Sequence, residues 1–235
     1  MDKIIPISAS NLSAFMSCPG KTTLSNKWKR IEEVDCFKDG SDAHKMMEIG
    51  EVIPDASVTA LAYHEQLVAA EKKLGYSPIR REGFEKFDYT LPSGRVVQIR
   101  RVIDLYARMP DGSPVIIDYK TASRPWETVD GETAPQAQGF QGSIYLIPSP
   151  TSPFVGEEGQ VSLAFLVATQ ASWKAHWHDP SSGSLRDLTD AMEIYAEAVE
   201  EGRLPFVRGY SCGKCEFKEL CYKVPGYQYQ FQTKY

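Results

Sequence analysis

The chain lacks the features that mark a membrane or secreted protein. No apolar run reaches the length of a bilayer span, and the N-terminus has no basic-then-apolar order, so a cytoplasmic location is expected. Cysteine is scarce and odd in number: Cys18, Cys36, Cys212, Cys215 and Cys221. An odd set in such a chain argues against a disulfide framework. Positive charge is not in excess, since 26 Lys and Arg face 31 Asp and Glu for a net charge of −5, so no broad surface advertises a polyanion. There is no Gly-x4-Gly-Lys-Ser/Thr phosphate loop, no internal repeat, and no low-complexity segment beyond the Tyr/Gln-rich tail 227–235. The remainder is ordinary globular composition, with enough chain for one sizeable α/β domain spanning 1–235.

What is present centres on Arg101–Thr121. Pro110-Asp-Gly-Ser113 is strong turn chemistry and joins two strands. Asp104 lies on the first strand. Asp118 and Lys120 lie on the second, two residues apart and therefore on one face. Ile103, Ile116 and Ile117 surround them, and a carboxylate among apolar residues is costly unless a cation holds it. Two carboxylates and a lysine suggest a divalent metal and a hydrolytic water.

The flanking chain alternates helix and strand signals. Ser8 or Ser10 caps a predicted helix over about 8–19, with Leu12, Phe15 and Met16 on one face and Pro19 as its stop. Lys21, Lys27, Trp28, Lys29 and Arg30 follow as a solvated face or a backbone-contacting patch. Ser41 is expected to cap a second helix with His44 in its first turn, and a third helix covers about 58–74 before Gly75. A three-strand meander runs from Phe84 to Tyr119, turning at Pro92-Ser-Gly94. After a polar loop at 122–133, a helix over 134–147 carries Ala137, Phe140, Ile144 and Ile147 on one face. Gln141 and Tyr145 lie one turn apart on it. A Pro/Ser/Gly loop, a central strand at 161–169 and an edge strand with His176 and His178 lead to an amphipathic helix of Leu185, Leu188, Met192, Tyr195 and Val199.

Cys212-x2-Cys215-x5-Cys221 is dense for a cytosolic chain and points to metal. Cys18 is the natural fourth ligand, leaving Cys36 spare. Four thiolates suit zinc or a [4Fe–4S] cluster, and spacing alone does not separate them. Either would tie the first helix to the segment 203–225.

In this order the pieces resemble the iron–sulfur branch of the PD-(D/E)XK nucleases, the RecB/AddB-type and CRISPR-associated exonuclease group. The resemblance is carried by Ser8–Pro19, Gly40-x3-His44, Val102-Ile-Asp104, Ile117-Asp118-Tyr-Lys120-Thr, Gln141-x3-Tyr145, and Gly202-Arg-Leu-Pro-Phe with the cysteine run. It implies a mixed central sheet flanked by helices, with a four-cysteine cluster joining the N-terminal helix to the C-terminal segment. It implies that His44, Asp104, Asp118 and the Tyr119 carbonyl bind Mg²⁺ or Mn²⁺, that Lys120 positions water, and that Gln141 and Tyr145 hold the site or the DNA backbone. It implies a [4Fe–4S] cluster on Cys18, Cys212, Cys215 and Cys221, with zinc as the alternative. Two departures stand out: Arg101 where relatives often have Gly, and Asp118 where many have Glu.

The function implied is a metal-dependent exonuclease acting on single-stranded DNA ends in recombination, repair or CRISPR-adaptation-like processing. An acidic metal centre served by a local basic stripe removes the objection from net charge. The stripe is sought among Lys27, Lys29, Arg30, Arg80, Arg81, Arg100 and Arg101, with Arg100-Arg101 beside Asp104 favoured. The resemblance also implies recombination or CRISPR-adaptation partners and leaves a homo-oligomer open. The alternatives are a binding subunit of a larger nuclease complex, and a redox or zinc-structural protein in which the cysteines are the whole story.

Overall fold

The computed structural model describes residues 4–30, 35–124, 136–178, 182–202 and 231–233, with 212, 215, 217 and 221. In chain order the elements are β1 (Ile5–Ile7), α1 (Ala9–Ser17), α2 (Pro19–Lys27), β2 (Trp28–Arg30), α3 (Asp35–Ile49), α4 (Val58–Leu74), β3 (Ser77–Thr90), β4 (Val96–Arg108) and β5 (Pro114–Thr121). They continue with α5 (Gln136–Leu146), a short 3₁₀ turn at Glu158–Gln160, β6 (Ser162–Ala168), β7 (Trp173–His178), α6 (Ser182–Glu200) and β8 (Phe231–Thr233).

The main sheet is mixed, in the order β1-β4-β5-β6-β7, with β3 paired to the remaining edge of β4. The β3-β4-β5 meander is antiparallel, whereas β5 and β6 run parallel and are linked by α5 as a crossover. Helices cover both faces. On one, α1, α5 and α6 supply Leu12, Phe15, Ile144, Leu188 and Met192 to a core with Ile99, Ile116 and Phe165. On the other, α3 and α4 pack Met47, Tyr63 and Leu67 onto Leu105, Ile117 and Leu166. A sheet covered on both faces explains why β5 and β6 are buried along almost their whole length. No described helix is long and apolar enough to cross a membrane.

Local chemistry fixes most boundaries. Ser8 accepts the Asn11 amide at 3.3 Å and caps α1, and Ser57 accepts the Ala60 amide at 3.0 Å and caps α4, which ends on Gly75 at φ 67°. Pro19 stops α1 after Ser17, as expected, and itself opens α2, because proline fits the first helical position, where its missing N–H costs nothing. Two expectations change. Ser41 lies inside α3, not at its cap. Met16 is exposed, and Leu12 and Phe15 alone bury the α1 face. The side chains of Lys27, Trp28, Lys29, Arg30, Cys36, Ala137 and Leu185 lie outside the described residues, as do most of 122–133, most of the closing segment 203–225 and most of the tail 227–235.

The sheet has a notch that matters for the site. β1 pairs with Val97–Ile99 of β4, and β5 pairs with Leu105–Arg108 along the same edge. Between them, Arg100–Ile103 are laddered only to β3 among the described strands. Asp104 stands where β4 and β5 diverge.

Candidate active site

Asp118 is 1% exposed, on the β5 face turned to α5. Its Oδ1 accepts a hydrogen bond from Gln141 Nε2 at 3.1 Å, and its Oδ2 is in ion-pair contact with Lys120. Gln141 Nε2 also donates to the Tyr145 hydroxyl at 2.7 Å, as the one-turn spacing on α5 predicts. The Lys120 ammonium lies 5.9 Å from the Phe165 ring centroid on β6. At the fork, Asp104 Oδ2 takes the Tyr119 amide at 2.7 Å, replacing the ladder bond that divergence removes. The antiparallel register, extended one step from Leu105↔Ile117, sets Asp104 opposite Asp118.

The electrostatics follow from burial. Desolvation, then the neighbouring Asp118 charge, pushes the Asp104 carboxyl up to about 8, with Lys120 and the Tyr119 amide opposing. His44 Nδ1 is 3.6 Å from Asp104 Oδ2. Burial, then Lys120, lowers the imidazole to about 4 against the pull of Asp118, so at neutral pH it is an uncharged donor and not a salt-bridge partner.

His44 reaches the site because α3 approaches β5 closely. A Cβ on Gly40 would lie 2.7 Å from Thr121 Oγ1, so glycine one turn before His44 sets the docking distance. On the opposite face a Cβ on Gly142 would lie 2.7 Å from the His178 ring, so the residue after Gln141 is small for the same reason. His178 is therefore a packing surface for α5.

Sequence reasoning missed the support beneath Tyr119. Its hydroxyl contacts Glu71, accepts Arg81 Nη1 at 3.0 Å and lies 3.5 Å from the Tyr76 hydroxyl. Its ring meets His44 edge to face, centroids 6.1 Å apart. Desolvation and the Glu71 charge hold that phenol well above its ordinary pKa. Glu82 was missed too. It has φ 47° and follows Arg81 on β3 at the level of Asp104, whose pKa it helps raise. No short motif announces either feature.

The arginine stripe is corrected. Arg101 is buried: its guanidinium pairs with Glu85 at 2.6 Å, and Nη1 lies 2.7, 2.7 and 2.8 Å from the carbonyls of Ile144, Tyr145 and Ile147 at the end of α5. It staples the Gln141–Tyr145 helix to the sheet and has no surface for DNA. Arg80 pairs with Glu85 at 2.8 Å and Arg81 with Glu71 at 3.0 Å. Of the described candidates Arg100 alone has no carboxylate partner; it donates to Gln98 Oε1.

The buried Asp118, the part-buried Asp104 with its raised proton affinity and a neutral imidazole suit a hard divalent cation, which would balance carboxylate charge that Lys120 offsets only in part. Among the described residues no three His, Cys, Asp or Glu side chains form a group that could by itself hold a metal ion. The thiols fit less well. Cys18 caps α1, Cys212, Cys215 and Cys221 are half-buried, and among the described residues the four do not form a metal-holding group. The expected cysteine cluster thus rests on spacing, not on this geometry.

Two clefts flank the carboxylates. One of about 550 Å³ is lined by Gln141, Tyr145, Arg100, Val102, Phe84 and Ser10. The other, about 640 Å³, is lined by His44, Glu82, Thr121 and Glu48.

Comparison with known proteins bears on this arrangement. Among solved structures, one named "Putative exonuclease" from Eubacterium rectale superposes with a TM-score of 0.57 at 12% identity, covering 96% of this chain and 89% of that one. The structure of SSO0001 matches at a TM-score of 0.49 and 13% identity, covering 94% and 88%. Likeness at such identity bears on the fold alone. No curated protein matches. The profile of the PD-(D/E)XK nuclease superfamily matches residues 6–222, a span that takes in His44, Asp104, Asp118, Lys120, Gln141 and Tyr145. The chain belongs to the PD-(D/E)XK nuclease superfamily.

Proposed function

We propose that this chain is a metal-dependent deoxyribonuclease that hydrolyses phosphodiester bonds at single-stranded DNA ends, in recombination, repair or CRISPR-adaptation-like processing. The observation that carries the reading is Asp118: a buried carboxylate held by Gln141 and Lys120 and set opposite a second carboxylate with raised proton affinity. Members of the superfamily typically use Mg²⁺ or Mn²⁺. Asp104, Asp118, the Tyr119 carbonyl and neutral His44 would hold the ion, which lowers the pKa of a bound water and neutralises charge on phosphate.

The protein supplies the rest. Lys120 offers a fixed ammonium where charge develops on the phosphate oxygens. Gln141 and Tyr145 hold Asp118 in one rotamer. Phe165 and the β5–β6 core keep water from the buried side.

The test is degradation of end-labelled single-stranded DNA by anaerobically purified protein with Mn²⁺, with Mg²⁺ and with EDTA, beside Asp118→Ala and Lys120→Ala. Metal-dependent loss of full-length strand, absent in both variants, is expected. Degradation that persists in Asp118→Ala, or none by folded wild type with either metal, would overturn the reading.

A further inference from the structure

The outward face of the β3–β4 hairpin is built against the rules for a sheet that meets only water. Strand alternation turns Glu85 and Arg101 inward as a buried pair and leaves their neighbours outside. Phe84 stands directly opposite Val102, at 65% and 43% exposure. The next outward pair is Lys86 opposite Arg100, two cations facing each other. Like charges in that position destabilise a ladder, and a chain with net charge −5 has no shortage of carboxylates to place there. Asp88, opposite Gln98, ends the cationic stretch.

This face is continuous with the candidate active site. Phe84, Arg100 and Val102 line the same cleft as Gln141 and Tyr145. Along β4, Val102 and Arg100 precede Asp104 by two and four residues, about 7 and 14 Å at strand rise. An exposed aromatic ring beside paired cations matches one occupant: a strand whose unpaired bases stack while its phosphates meet the positive charges. A duplex keeps its base faces covered and gains nothing from Phe84.

We propose that Phe84 and Val102, with Lys86 and Arg100, form a platform for the single strand of nucleic acid that leads to the carboxylates. This deepens the nuclease reading and rests on it. Phe84 stacks a base, Val102 packs its edge, and Arg100 and Lys86 hold the flanking phosphates.

The experiment is fluorescence anisotropy of a labelled twelve-residue oligothymidylate, in EDTA so that binding is read without cleavage. Phe84→Ala is expected to weaken binding about tenfold, and Phe84→Trp to restore it, with indole emission quenched by the oligonucleotide. Lys86→Gln and Arg100→Gln should each reduce the salt slope by about 0.7. Affinity for a blunt duplex should not change in Phe84→Ala. Wild-type affinity in Phe84→Ala, or equal losses on single strand and duplex, overturns the platform. Because these side chains are exposed, unchanged melting temperatures will show that the variants are folded. Cleavage that depends on Asp118 while Phe84→Ala binds normally would remove the platform and leave the nuclease. Phe84-dependent binding by a protein that never cleaves would do the reverse.

Discussion

Replacing Arg101 with Met tests whether the residue is a staple or a DNA contact. The substitution keeps much of the volume and removes the charge. It leaves Glu85, whose side chain is fully buried, without its main partner, and strips a donor from three carbonyls at the end of α5. Breaking a buried pair by deleting one partner costs about 3–5 kcal/mol. The freed carbonyls lie at a helix terminus and regain some water, so their loss does not add in full. A total of about 4 kcal/mol is expected, a large share of the roughly 5–15 kcal/mol that holds a domain folded. For a chain of this size that lowers the melting temperature by about 8 °C or more. Glu85→Gln keeps a hydrogen-bond acceptor and should cost about half as much. The double variant should cost less than the sum of the singles by about 2 kcal/mol, because the two residues share one interaction. Thermal and urea unfolding of the four proteins give the cycle. A melting temperature within 1 °C of wild type for Arg101→Met (about 0.5 kcal/mol), or strict additivity, would refute the staple. So would an unchanged stability accompanied by a weaker salt dependence of DNA binding.

Other outcomes follow from the same geometry. Burial alone would raise the Glu85 carboxyl, but the Arg101 charge and its hydrogen bonds outweigh that and hold it below the ordinary value. Its contribution is therefore present above about pH 4.3 and lost as pH falls further, so acid unfolding should be shallower in Glu85→Gln than in wild type. Asp104 is shifted the other way, to about 8, so the metal-free folded state binds more protons than the unfolded chain between about pH 4 and 8 and loses stability as pH rises through that window. Asp104→Asn should thus raise metal-free stability at pH 8, on the order of 2 kcal/mol, while ending cleavage, and calorimetry at pH 5 and 8 checks the sign. Gly40→Ala should cost about 1–2 kcal/mol through Thr121, and Thr121→Ala in the same chain should recover most of it. The cysteine spacing is tested apart from this geometry: iron and sulfide in anaerobically purified protein, lost in Cys215→Ser, would support a cluster, whereas bound zinc or metal-free thiols would end the iron–sulfur expectation.

Much of this was legible because the deciding signals are local. Gly75 ends α4 and the Pro110–Gly112 turn closes the central hairpin, and the Asp104/Asp118/Lys120 and Gln141/Tyr145 spacings place those side chains together through the hairpin and the strand and helix periods. What was misread depended on distant partners. Gly40-Ser41 reads as a helix start, yet α3 runs through it and its glycine instead allows the close approach to Thr121. β3 begins at Ser77, seven residues before the apolar alternation, and there Arg80 and Arg81 pair with Glu85 and Glu71. Arg100 and Arg101 look like one basic patch on paper, although adjacent strand residues must face opposite ways. The Glu71–Tyr119–Arg81 support joins three elements and carries no motif.

The notch in the sheet also has a kinetic meaning. The proposed centre draws His44 from α3, Asp104 and the Asp118–Lys120 run from the two sides of the β4–β5 fork, and Gln141 and Tyr145 from the crossover helix, so its contacts span about a hundred positions in the chain. Contacts of such long range are bought late in folding, after local hairpins and helices exist. A nascent or partly denatured chain would then hold the hairpin and its cations while lacking the hydrolytic centre. In a refolding time course, affinity for a DNA strand should return ahead of the ability to cut it.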